Sequence, residues 1–264
     1  MLATMGKRAL GAFGATVGVL VACGLLLGFV EGKSTELLYR LFGWGGVLFT
    51  GVAGTPIHEL GHYLMCRLFG FWVTEVALFR PVAGRADGVL GYVRYAYDPG
   101  SLWQRLGCFF VGIAPMVLGV AAILLILRLI TPEVFRSAGT RLAGALGARR
   151  GPLALLGAAC SGFFSGLFRL RGLGILRGML CLYLVFSIST HMTLSLADLR
   201  GAAAGLAVVA ALCLLFGAVS TLLGIEVNAA LKKTAVVIAS FLAVGLAFAL
   251  LSLLVSGAAY LLLS

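Results

Sequence analysis

Of the three histidines in the chain, two lie four residues apart in His58-Glu59-Leu60-Gly61-His62. On an α-helix that spacing puts both imidazoles on one face, one turn apart, where they can bind a single metal ion. Glu59 then stands where it can act as a general base on a water activated by the metal. The flanking segments, Trp44 to Ala53 and Tyr63 to Trp72, are almost wholly apolar. A charged, metal-binding cluster is costly to insert into lipid-like sequence, and that cost marks it as functional.

Two imidazoles do not complete a catalytic zinc site; a third protein ligand is needed, with the fourth position left to water. The third histidine, His191, and the acidic Asp198 lie close together in Ser189-Thr190-His191-Met192-Thr193-Leu194-Ser195-Leu196-Ala197-Asp198. If 191–198 is helical, the two share a face. Asp198 is the candidate that completes a His-His-Asp set. His191 is the alternative ligand, or a donor to the oxyanion that develops during hydrolysis. The plainer roles are a helix cap or an Arg200 partner for Asp198 and a structural hydrogen bond for His191. Glu75, Asp87, Glu133 and Glu226 fall in expected loops or interfaces, where solvation is the default.

The elements that must position these groups follow from composition. A mean hydropathy of +1.11, with 61% hydrophobic and 11% charged residues, excludes an ordinary soluble domain and points to a polytopic α-helical membrane protein. The net charge of +11 is spread over short connections, with no basic block. It fits anchoring at the bilayer surface and excludes nucleic acid as a partner. Lys7 and Arg8 predict a cytoplasmic N-terminus. Six cysteines without CxxC spacing read as small apolar residues.

About six spans are predicted: Ala9 to Val30, Trp44 to Phe71, Leu106 to Ile130, Leu173 to Ile188, Ala202 to Leu223 and Val236 to Leu263. Cys23 follows Leu20-Val21-Ala22, a pattern seen before lipid-modified cysteines. The apolar run continues past it, so a retained helix is expected. Pro56 starts or kinks the HExxH helix, and Pro152 to Phe168 is left as a short span, a re-entrant segment or an interfacial helix. Thr74 to Arg80 and Val89 to Tyr97 are β-prone runs around a turn-rich connector, which predicts a membrane-associated β-hairpin. The whole reads as one domain over 1–264. A first helix and loop occupy 1–43, a catalytic core 44–222 and a C-terminal helix 223–264.

In the order of these elements, over roughly residues 44 to 222, the chain resembles the site-2-protease-like intramembrane metallopeptidases, the M50 group. The HExxH of His58, Glu59 and His62 carries the resemblance, with the β-prone insertion after it and Asp198 near the start of a later span. Phe110-Val111-Gly112-Ile113-Ala114-Pro115 is similar to the small-residue Gly-Pro segment of the third family span. The resemblance implies one Zn²⁺ held by His58, His62 and Asp198, with Glu59 as catalytic base. It also implies a membrane-tethered protein as substrate and a bacterial cell membrane as location. Ala197-Asp198-Leu199 stands where the family has Leu-Asp-Gly, no PDZ-like insertion is present, and Asn228 is the sole asparagine. In other zinc peptidases with HELGH the third ligand is Glu, for which Glu226 is the candidate.

Overall fold

Apolar runs fold here as helices, and glycines at positive φ stand at several of their boundaries: Gly43, Gly70 and Gly172. The computed structural model describes residues 2–148, 152–192, 196–224 and 228–263. Within them lie ten helices and one two-stranded antiparallel hairpin. Helix α1 (Leu2–Phe13) passes through a π-helical turn (Gly14–Gly18) into α2 (Val19–Phe42). The first span therefore does not end at Val30. Glu36 pairs with Lys33 at 2.9 Å and Arg40 at 2.6 Å, so charged pairs at helical spacing carry the helix past the apolar run. Cys23 lies inside α2, as its apolar surroundings predict.

Helix α3 (Trp44–Leu68) carries the HExxH and contains Pro56 without a break. Its end is a Schellman turn. Gly70, at φ 72°, lets the Phe71 N–H reach the Cys66 carbonyl at 2.8 Å and the Gly70 N–H reach that of Arg67 at 3.3 Å. Phe71 packs with Cys66, Phe69, Cys108 and Val111, and the chain leaves directly into strand β1 (Trp72–Ala77). A four-residue helical turn, α4 (Gly84–Asp87), sits inside the predicted connector, and β2 (Tyr92–Ala96) returns antiparallel. Trp72 pairs with Ala96 and Ala77 with Tyr92, with an irregularity between Val73 and Glu75. Both strands are shorter than the β-prone runs: Arg80 and Val89 bond around the α4 turn instead. On the hairpin surface Arg80 bonds Asp87 at 2.9 Å and holds that carboxyl below its ordinary value.

Helix α5 (Leu102–Ile130) starts at a Ser101 cap that accepts from the Gln104 N–H. The Gln104 side chain accepts from the Asp98 N–H at 2.6 Å and donates to the Gly70 carbonyl at 2.8 Å, tying the hairpin exit to the end of α3. The region 131–172 resolves into α6 (Pro132–Gly147) and α7 (Pro152–Leu167). The two run antiparallel, with Gly162 against Ala138 and Gly166 against Val134. Then come α8 (Leu173–Ser189), α9 (Leu196–Leu222) and α10 (Asn228–Leu263). The main core lies between α2, α5, α8 and α10, around Leu27, Met116, Val120, Ile123, Ile188 and Phe248.

Among the described residues three helical stretches are long and apolar enough to cross a membrane: Leu102–Ile130, Ala197–Leu222 and Gly245–Leu263. Helix α8, at 17 residues, is apolar but shorter. Helices α2 and α3 are long, yet they carry charged and histidine side chains.

Helix α5 is the strut that sets the distance between the HExxH helix and α9. A Cβ at Gly61 would lie 3.1 Å from the Ala114 carbonyl, and one at Gly112 would lie 2.7 Å from Ala202 Cβ and 2.9 Å from the Asp198 carbonyl oxygen. Gly112→Leu is therefore expected to push α9 off α5 and cost about 1–3 kcal/mol, as overpacked sites do. Thermal unfolding together with metal titration of detergent-purified protein checks this. Wild-type melting and metal binding in the variant would contradict it.

Candidate metal centre

His58 and His62 project from one face of α3, as their spacing requires, with Nε2 atoms 3.1 Å apart. Each ring is turned by a backbone carbonyl behind it. His62 Nδ1 donates to the Val111 carbonyl at 2.9 Å. Val111 lies four residues before Pro115, and a proline has no N–H for that carbonyl. The helical defect and the imidazole satisfy each other. His58 Nδ1 donates to the His191 carbonyl at 2.7 Å, just beyond the end of α8. A carbonyl only accepts, so both rings carry their proton on Nδ1 and direct the Nε2 lone pair inward.

Asp198 joins them from the first turn of α9, where the helix dipole favours a carboxylate. Its Oδ1 is 3.2 Å from His62 Nε2 and its Oδ2 4.0 Å from His58 Nε2. One ligand atom from each of His58, His62 and Asp198 lies within 4.8 Å of the others. With both rings neutral, the three inward ligand atoms are all acceptors, and a cation removes their mutual repulsion. The donor set fits a metal ion, and these three residues could hold one. All three are largely buried, with side-chain exposures of 16%, 8% and 14%.

Glu59 is 7% exposed, and its side chain packs against the hairpin beside the ligand residues. A Cβ at Gly91 would lie 2.8 Å from both Glu59 Cγ and Thr55 Cγ2. One turn earlier, Gly51 meets Leu90 and Phe79 in the same way. The hairpin therefore lies along the 51–55–59 face of α3 and covers the acidic residue of the motif. Tyr95 of β2 reaches α9, with its hydroxyl 3.4 Å from where a Gly201 Cβ would sit.

His191 is not placed as the sequence suggested. Helix α8 stops at Ser189, His191 sits in a bend, and α9 starts at Leu196. Thus 191–198 is not one helix, and the shared face is lost. Residues 193–195 lie outside the described residues, as does Glu226. The His191 ring packs on Gly54, where a Cβ would lie 2.8 Å from its own Cβ. Its Nδ1 is 3.2 Å from the Ser187 carbonyl and 3.1 Å from the Thr190 hydroxyl. Its carbonyl accepts from His58 Nδ1, and the three-residue cluster is made by His58, His62 and Asp198.

Three contributors were missed in the sequence. Ser187 accepts from the Gly54 N–H at 3.0 Å and the Ala53 N–H at 3.3 Å, and donates to the Thr50 carbonyl. Its hydroxyl thus enters the α3 backbone ladder and locks α8 to α3. Glu31 of α2, 3% exposed, accepts from the Met192 N–H at 3.2 Å. An acidic residue at the edge of an apolar run was its only sequence signal. The Val111 carbonyl was readable from Pro115 alone.

No family model matches the chain, and no curated protein or solved structure matches it either.

Detergent-purified wild type is expected to carry one metal ion per chain by elemental analysis. His58→Ala and Asp198→Asn lose it. His191→Ala keeps it, because the carbonyl that orients His58 is unaffected by the side chain. Metal retained in Asp198→Asn and lost in His191→Ala would move the third ligand.

Proposed function

We propose that this chain is an integral membrane zinc endopeptidase of the site-2-protease-like type, cutting a peptide bond in or near the membrane segment of a tethered protein. One observation carries the reading: His58, His62 and Asp198 converge next to the buried Glu59 inside an apolar helical bundle. The three long apolar helices support residence in a bilayer. The proposed arrangement is polytopic, with α2, α3 and α8 completing about six spans beside the hairpin.

A zinc ion held by His58, His62 and Asp198 would supply a Lewis acid that acidifies water and polarises the scissile carbonyl. Glu59 takes a proton from the attacking water on its carboxylate, the water oxygen bonds the carbonyl carbon, and the C–N bond breaks. Glu59 then returns the proton to the leaving amine nitrogen. The Val111 and His191 carbonyls keep the two imidazoles in one tautomer throughout. A helical substrate shields its amides, so it must unwind before attack. The hairpin, lying against the Glu59 face of α3, offers a strand edge that an unwound segment could join.

Glu59→Gln in reconstituted vesicles is expected to cut a membrane-tethered peptide about 10²–10⁴-fold more slowly while retaining its zinc. Unchanged cleavage would sink the peptidase reading. Zinc binding without cleavage in the wild type would favour a non-proteolytic metal protein. Gly91→Val, which lifts the hairpin off Glu59, is expected to slow cleavage with zinc stoichiometry unchanged; a zinc-depleted variant would show that the hairpin serves the metal site instead.

A further inference from the structure

Glu31 is a carboxylate buried in the bundle core, on a helix that contributes none of the three ligands. Burying such a group among apolar helices is costly, and no step of the hydrolysis above uses it. One of its hydrogen bonds gives the reason. Glu31 Oε1 accepts from the Met192 N–H at 3.2 Å, and the His191 carbonyl accepts from His58 Nδ1 at 2.7 Å. That N–H and that carbonyl are the two ends of a single peptide group. We propose that Glu31 is a positioning residue that acts on His58 through the His191–Met192 peptide group, making His58 the stronger of the two imidazole ligands. This rests on the metal-centre reading above.

The peptide unit is planar and resonance-coupled. A carboxylate at its N–H end draws electron density toward the carbonyl oxygen, and hydrogen bonds in such a chain reinforce one another. The carbonyl becomes a better acceptor for the His58 Nδ1–H, and the ring a better donor at Nε2. Carboxylates bonded directly to metal-ligating histidines act in this way; here a peptide group is interposed.

The parts of the relay are held still. Met192 is 1% exposed, with its side chain pressed against Gly119 of α5 and Gly245 of α10. One turn from Glu31, the Ser34 hydroxyl bonds that of Ser256 on α10 at 2.9 Å. Helix α2, Met192 and α10 are therefore tied to one another.

His62 provides an internal control. Its Nδ1–H goes to the Val111 carbonyl within α5, a separate peptide on a separate helix. A change at Glu31 should reach His58 and leave His62 alone.

The test uses the full chain in detergent, labelled with ¹⁵N-histidine; with three histidines the imidazole N–H signals are assignable by single substitutions. Glu31→Gln keeps an oxygen acceptor for the Met192 N–H and removes the charge. In metal-free protein it is expected to move the His58 Nδ1–H resonance upfield and leave that of His62 in place. By chelator competition it is expected to weaken zinc binding about 10–100-fold. Glu31→Asp, which retains the charge, is expected to bind zinc more tightly than the Gln variant. An unshifted His58 proton with wild-type affinity in Glu31→Gln would overturn the proposal. Equal shifts at both histidines, or Asp binding no better than Gln, would reduce Glu31 to a structural lock. Absence of zinc from the wild type would refute the metal reading, and the proton shifts of the metal-free protein would still decide the role of Glu31.

Discussion

Backbone carbonyls decide which nitrogen each of the two clustered imidazoles turns inward, and the rest of the architecture depends on where those carbonyls are. Inside an apolar bundle an unpaired carbonyl is expensive. Two are made available here by helix defects: Val111 loses its usual partner to Pro115, and His191 lies just past the end of α8. The histidines of α3 fill both vacancies. The defects are thereby paid for by the same bonds that aim the ligands. Moving the Pro115 defect by one residue would turn the freed carbonyl about 100° around α5 and leave the His62 imidazole unpinned.

Helix α3 is held from three sides. Helix α5 meets it at Gly61, α8 enters its backbone ladder through Ser187, and the hairpin lies along the Gly51–Thr55–Glu59 face. The Schellman turn at Gly70 and the Gln104 clamp join the hairpin to the ends of both α3 and α5. The hairpin is therefore a rigid extension of the site's own helices rather than a hanging loop. Its Tyr95 also reaches the first turns of α9, the helix that carries Asp198.

Much of this was legible in the sequence where local pattern and chemistry coincide. The i, i+4 histidines fixed their own geometry, the scarcity of acidic residues in apolar sequence singled out Asp198, and Val89 to Tyr97 announced a strand. The continuation of α2 was also readable from Lys33, Glu36 and Arg40, although the end of the apolar run hid it. Other features could not be read because they arise only when distant helices meet. Ser187 touches Gly54, and Glu31 touches Met192, across 133 and 161 residues of chain. The helical reading of 191–198 failed because seven-residue spacing says nothing about whether the backbone between is continuous. Here the turn at Thr190 and His191 breaks it, and the His191 carbonyl accepts from His58 Nδ1.

Every group that completes the His58–His62 pair from outside α3 comes later in the chain: the Val111 carbonyl, the His191 carbonyl and Asp198. A nascent chain that has emerged only through α8 carries the HExxH with no third ligand and with the His58 ring free to turn. The cluster is therefore complete only when α9, which carries Asp198, docks on α5. The order of residues along the polypeptide thus sets the order in which the three-residue cluster is assembled.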